Sequence, residues 1–233
     1  LIKHIPYLLQ IANEIANTDV IISLSLAAIE NNWIRPQVED STDFEIIEGR
    51  HPVVEKHIPI GEFVPNNSKV NSDDEKIPSF NLITGPNMAG KSTYLRQNAL
   101  ICLLAQIGSY VPAKFAKIGV VDKIFCRVGA SDNLAKGEST FLVEMTETAH
   151  ILHSATKKSL VIMDEVGRGT STEDGLAIAR AVSEYLLDEI KCRTLFATHY
   201  HELSRMEHPK LNMLCMDVSE KNALFFRFCS SDP

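Results

Sequence analysis

Between Ile5 and Ile29 the apolar residues Ile5, Leu8, Ala12, Ile15, Ile22, Leu26 and Ile29 recur at close to helical spacing, and the pattern stops before Arg35-Pro36. One or two helices are expected there. Two short strands are expected around Phe44–Ile47 and Ile58–Val64. The stretch from Pro65 to Pro78 is polar and rich in turn formers and reads as an exposed loop. The apolar run Phe80–Thr84 then leads into a glycine-rich segment. From Thr93 to Ile107, Tyr94, Leu95, Ala99, Leu100, Leu103 and Leu104 repeat with helical period, giving strand, loop and helix. A second alternation follows: a helix from Phe141 to about Thr156, the apolar strand Leu160–Met163, a helix near Gly175–Leu187 and the strand Thr194–Ala197. Alternating strands and helices predict an α/β fold whose mainly parallel sheet is flanked by helices on both faces.

Composition narrows the class without changing this picture. The 233 residues are 45% apolar and 23% charged, which suits one large globular domain with a small helical appendage. No run reaches the roughly 18 apolar residues of a membrane span, and Leu1-Ile2-Lys3-His4 lacks the organisation of a signal peptide. An intracellular protein is expected. The chain starts without Met and ends at Ser230-Ser231-Asp232-Pro233 without a closing element, so it reads as a piece of a longer protein. Its five cysteines form no C-x-x-C pair, which argues against a disulfide framework or a zinc site. A net charge of −7 gives no support for bulk nucleic-acid binding by this surface.

The chemistry collects at strand ends. Gly85, Pro86, Asn87, Met88, Ala89, Gly90, Lys91 and Ser92 spell G-x-x-x-x-G-K-S between a strand and a helix. Such a loop wraps backbone N–H groups around phosphate oxygens and adds the positive end of the helix, where Thr93 follows. Lys91 is placed to reach the β- and γ-phosphates, and the Ser92 hydroxyl to ligate magnesium. Asp164 closes four apolar residues and is expected to help hold that metal at the same sheet edge. Glu165 is expected to orient the attacking water. His199 follows another strand and is a candidate contact for the γ-phosphate; a structural histidine and a metal ligand are its alternatives, with no third ligand evident. Ser139-Thr140 looks like a hydroxyl cap opening a helix, either a plain cap or a phosphate contact.

Together these residues resemble the ATPase domain of the MutS family of DNA mismatch repair proteins, of the ABC-ATPase type. The segments TGPNMAGKSTYLR (84–96), RVGASDNLAKGESTF (127–141), MDEVGRGTST (163–172), FATHYHEL (196–203) and EGRHPVV (48–54) carry the resemblance. It runs from about Asp19 to Phe228.

The resemblance implies ATP and ADP as ligands with Mg2+, and paired ATPase domains, as homodimer or paralogue heterodimer. Ser139 and Thr140 of one subunit would then touch the γ-phosphate bound by the other. It places Phe63 and Val64 against adenine, and Arg168, Thr170, Ser171 and Asp174 in signalling between the two sites. It divides the chain into a connector stub at 1–40 and a C-terminally truncated ATPase domain at 41–233. Mismatched DNA would be met by domains outside this chain and downstream partners would be of the MutL type, in the cytoplasm or, for a eukaryote, the nucleus. Lys136-Gly137-Glu138-Ser139-Thr140 departs from the transporter signature and argues against a membrane transporter subunit. A recombination-type paralogue that binds nucleotide without reading mismatches is the alternative. The isolated piece is expected to hydrolyse ATP weakly, because each site would lack the partner's Ser139.

Overall fold

The computed structural model describes residues 4–59, 61–86, 89–129, 140–218 and 226–230. In chain order the elements are α1 (Ile5–Glu30), β1 (Gln37–Glu39), β2 (Asp43–Gly49), β3 (Asn66–Asn71), β4 (Phe80–Thr84) and α2 (Lys91–Gln106). They continue with β5 (Phe115–Gly119), β6 (Ile124–Arg127), α3 (Thr140–Ser154), β7 (Leu160–Asp164), α4 (Thr172–Tyr185), β8 (Arg193–Ala197), β9 (Leu211–Val218) and β10 (Phe226–Ser230).

Six strands form the larger sheet in the order β10-β9-β4-β8-β7-β6, parallel throughout except for the antiparallel β10–β9 pair. Every residue of β7 and β8 is buried, as expected of central parallel strands covered on both faces. The period of two sorts their side chains between two cores. Ile83, Leu160, Ile162, Leu195 and Ala197 pack with Leu95, Ile101 and Cys102 of α2, while Leu82, Val161, Met163 and Phe196 pack with Ile151 of α3 and Ala179 and Val182 of α4. The expected parallel sheet flanked by helices is therefore present.

A second sheet of order β1-β5-β2-β3 lies beyond α2, and its Phe44, Ile46, Val70, Ala116 and Ile118 complete the α2-side core. The strand expected at Phe44–Ile47 lies within β2, while β1, β3 and β5 were not anticipated. The reading of Pro65–Pro78 as an exposed loop is corrected here, since β3 pairs with β2 from Asn66 to Asn71. Its inward positions include the polar Asn66, Ser68 and Asn71, so no apolar alternation marked the strand. Hydrogen bonds satisfy part of that polarity: Thr42 Oγ1 donates to Asn71 Oδ1 at 2.9 Å, and Asn71 Nδ2 donates to Asp43 Oδ1 at 2.7 Å. The strand expected at Ile58–Val64 is absent among the described residues. A 3-10 turn at Val54–His57 precedes an irregular approach to β3.

Arg193 joins the two sheets. The side chain is fully buried at the start of β8 and donates to the carbonyls of Gly119, Val120 and Lys158, at 2.8, 3.3 and 2.5 Å. In contrast, α1 is a single helix on which Ile11, Ile15, Ile22 and Ile29 are exposed and Ala28 is the buried residue. No helix among the described residues is long and apolar enough to cross a membrane.

Candidate active site

The glycine-rich segment joins β4 to α2 at the carboxyl edge of the larger sheet. Gly85 has φ +136°, and a Cβ there would lie 2.6 Å from the Met216 carbonyl of β9, so the close approach of these strands requires glycine. Gly90 caps α2 in the left-handed conformation and offers no side chain to its first N–H groups. Those donors and the positive end of the helix face the loop, an arrangement suited to an anion. Lys91 is 5% exposed and its ammonium donates to the carbonyls of Gly85 and Pro86, at 2.8 and 2.9 Å. Its charge is thereby held at the mouth of the loop. Ala89 N–H donates to the Pro86 carbonyl at 3.2 Å, and Thr93 is half-buried in the first turn of α2. Asn87 and Met88 lie outside the described residues.

Parallel pairing of β4 with β8 and β8 with β7 delivers Asp164 to the same edge. Ser92 Oγ donates to Asp164 Oδ2 at 2.5 Å, and Asp164 Oδ1, buried, has no hydrogen-bond partner among the described residues. A carboxylate oxygen left over beside a serine hydroxyl is the donor set a small hard cation such as Mg2+ takes, so these residues fit that metal. Burial pushes the Asp164 carboxyl above its ordinary range; the neighbouring Glu165 adds to this, while the Ser92 hydrogen bond and the Lys91 and Arg96 charges oppose it. A raised pKa means the folded protein holds that proton more tightly than the unfolded chain, so the favourable contribution belongs to low pH and is lost as pH rises through the folded value. At pH 7 the buried charge is a burden. Asp164→Asn keeps an acceptor for Ser92 and is expected to raise the melting temperature at pH 7 without added ligands; a fall would show that the charge itself holds the loop together.

Glu165 adopts φ +52°, rare for a residue with a long side chain. Its N–H donates to the Ala197 carbonyl at 2.9 Å, and its Oε2 pairs with Arg168 Nη1 at 2.5 Å. His199 follows β8 at the same edge, exposed, with its ring 4.0 Å from that of Tyr200. The phosphate loop, Ser92, Asp164, Glu165 and His199 thus share one sheet edge.

The other expected residues are less closely joined to it. Ser139 lies outside the described residues, and Thr140 opens α3 with an exposed position. Phe63 and Val64 are half-buried in the irregular approach to β3, where the Val64 carbonyl accepts from Asn66 Nδ2 at 3.2 Å. Thr170 is half-buried. Ser171 is the N-cap of α4: its hydroxyl oxygen accepts from Asp174 N–H at 3.2 Å and its hydroxyl donates to Asp174 Oδ2 at 2.7 Å.

The sequence reading overlooked a buried polar group behind Asp164. Arg127 Nη1 donates to the Asp164 carbonyl at 3.3 Å, Arg127 Nη2 pairs with Glu144 Oε2 at 3.6 Å, and Glu144 Oε1 accepts from Gly167 N–H at 2.6 Å. One signal was available. Glu144 shares a helical stripe with Thr148 and Ile151, all three buried, and a carboxylate on such a stripe implies a partner.

Comparison with known proteins agrees with this geometry. A family model described as MutS domain V matches residues 81–229. The chain is 64% identical over 225 residues to the DNA mismatch repair protein MutS of Treponema denticola, covering 94% of this chain and 25% of that protein. It is 61% identical over 219 residues to the protein of that name in Treponema pallidum, with 94% and 24% covered. The corresponding protein of an Anaeromyxobacter species is 53% identical over 223 residues, with 92% and 25% covered. The chain spans about a quarter of the length of these relatives.

Proposed function

Because the chain belongs to the MutS family and carries its domain V, we propose that it binds and hydrolyses ATP, and that this cycle switches the conformation of a DNA mismatch repair protein. The observation that carries the reading is the meeting of Lys91, Ser92 and Asp164 at one helix N-terminus, with Asp164 Oδ1 left without a partner among the described residues. The similar proteins from Treponema and Anaeromyxobacter bear mismatch repair in their names, which favours this reading over a recombination-type paralogue.

In the proposed mechanism, the N–H groups of the loop and the start of α2 cradle the phosphates, and Lys91 exchanges its two carbonyl partners for phosphate oxygens. Ser92 and Asp164 would hold Mg2+, which would supply neutralisation of the phosphate charge. Glu165 accepts a proton from the attacking water and directs its lone pair at the γ-phosphorus, whose bond to the bridging oxygen breaks as ADP leaves with that bond's electron pair. His199 donates a hydrogen bond to the γ-phosphate oxygens. Ser139 and Thr140 act on the γ-phosphate of a second subunit, so turnover depends on pairing. Phe63 and Val64 hold adenine, and Arg168, Thr170, Ser171 and Asp174 carry the state of one site to the other. Contact with mismatched DNA and with MutL-type partners belongs to the complete protein in the cell interior.

Lys91→Ala tests the binding half of the proposal. Removing a charge-assisted donor costs about 1.5–3 kcal/mol, so ATP affinity is expected to fall by roughly 10- to 100-fold in equilibrium titration. Unchanged affinity would mean that the nucleotide binds elsewhere.

A further inference from the structure

The backbone on either side of Glu165 is gripped at four points, by groups from β6, β8, α3 and the turn that follows β8. Before it, the Asp164 carbonyl accepts from Arg127 Nη1, at the end of β6. At the residue itself, the N–H donates to Ala197, at the end of β8. Two residues on, Gly167 is held from both sides: its N–H by Glu144 of α3 at 2.6 Å, and its carbonyl by the Tyr200 hydroxyl at 2.9 Å. Glu144 and Tyr200 are 5% and 3% exposed, and Arg127 bridges Glu144 to Asp164, so the side-chain grips are mechanically linked.

There is no slack around this segment. Gly167 has φ +87°, and a Cβ on it would lie 2.5 Å from the Gly175 carbonyl of α4; a Cβ on Gly175 would lie 2.0 Å from the Tyr200 hydroxyl. Glu165, between the grips, has a backbone conformation that it would not choose alone. A residue so placed is held by its surroundings, and here those surroundings are identifiable side chains.

We infer that Arg127, Glu144 and Tyr200 are positioning residues for Glu165, setting where its carboxylate stands relative to the phosphate loop. The inference rests on the hydrolytic reading above and adds to it the route by which two other parts of the site reach Glu165. Tyr200 packs against the ring of His199, so a displacement of that histidine is passed through one hydroxyl to Gly167. Glu144 is one turn into α3, whose first residue is Thr140, so a displacement of that helix start is passed through one carboxylate to the same glycine. Glu165 is the point at which both displacements arrive.

The test uses the complete natural protein. Tyr200→Phe deletes one hydroxyl and leaves the ring against His199. Glu144→Gln retains an acceptor for Gly167 N–H but loses the charge facing Arg127, and Glu144→Ala loses both. ATP affinity, steady-state and single-turnover hydrolysis and melting temperature are measured for each, alone and combined with Glu165→Gln. The expected result is a fall of about tenfold in kcat for Tyr200→Phe, with ATP affinity held within about twofold, since small misplacement of a catalytic group suffices for such losses. Glu144→Ala falls further than Glu144→Gln. In the Glu165→Gln background Tyr200→Phe and Glu144→Gln have no additional effect, because the group they position is no longer able to act.

Wild-type kcat in Tyr200→Phe, or the same fold loss with and without Glu165→Gln, overturns the inference and leaves a purely structural role. If Glu165→Gln alone retains full turnover, Glu165 has no part in hydrolysis and the inference falls with that role, whereas loss of ATP turnover in the wild type itself would sink the hydrolytic reading. If Glu165→Gln abolishes turnover while Tyr200→Phe and Glu144→Gln behave as wild type, the inference fails alone.

Discussion

Glu165→Gln is expected to lower ATP turnover by about 10³-fold while nucleotide still binds, because a positioned proton acceptor contributes roughly 10²- to 10⁴-fold. Glutamine matches glutamate in shape, so the substitution isolates the missing basic oxygen. The ion pair to Arg168 is also lost, but Arg168 is well exposed and such a pair contributes little to stability. Single-turnover phosphate release with the protein in excess, alongside equilibrium ATP binding, separates the two effects. Turnover within about threefold of wild type would remove Glu165 from the mechanism and shift attention to His199, the other candidate at that edge.

The second large effect is on stability. Arg193→Met is expected to destabilise the fold by about 4 kcal/mol or more. Methionine fills much of the space but donates nothing, leaving the carbonyls of Gly119, Val120 and Lys158 in the interior without the donor they now share. Each such loss costs about 1–3 kcal/mol, against a total domain stability of roughly 5–15 kcal/mol. Burial pulls the guanidinium pKa down from its ordinary value, yet arginine is held charged by the ring of carbonyls. Denaturant unfolding would report the change. A loss below about 1 kcal/mol would mean that water reaches those carbonyls once the guanidinium is gone.

The two substitutions probe features that differed in how readily the sequence disclosed them. The strand carrying Asp164 was legible because Leu160–Met163 is apolar on both faces, the mark of a central parallel strand, and its acidic end has no place in such a core. The phosphate loop was legible because its glycines and Lys91 are local requirements, met within eight residues. By contrast β3 was not, because Val70 is the one apolar residue among its buried positions and Asn66, Ser68 and Asn71 are polar, Asn71 being held by Asp43 of β2 and by Thr42. Arg193, just before the strand expected at Thr194–Ala197, gave no signal in the sequence, since its carbonyl partners lie far along the chain. The grip on Gly167 belongs to the same kind: Glu144 and Tyr200 approach it from sequence distances of 23 and 33 residues. Pattern reads what a residue needs from its neighbours in sequence. It is silent on what distant segments supply, unless a charge falls on a buried stripe, as Glu144 does.

The positive φ of Glu165 also bears on how this position can change over time. Left-handed backbone costs a side-chain-bearing residue about 1–2 kcal/mol, and glycine escapes that cost. On backbone cost alone glycine would be favoured at position 165, as it would at Glu48 and Lys191, which share this conformation. In a copy of the gene that no longer needed the carboxylate, a change of this codon to glycine would relieve that cost and leave the protein sturdier than its ancestor.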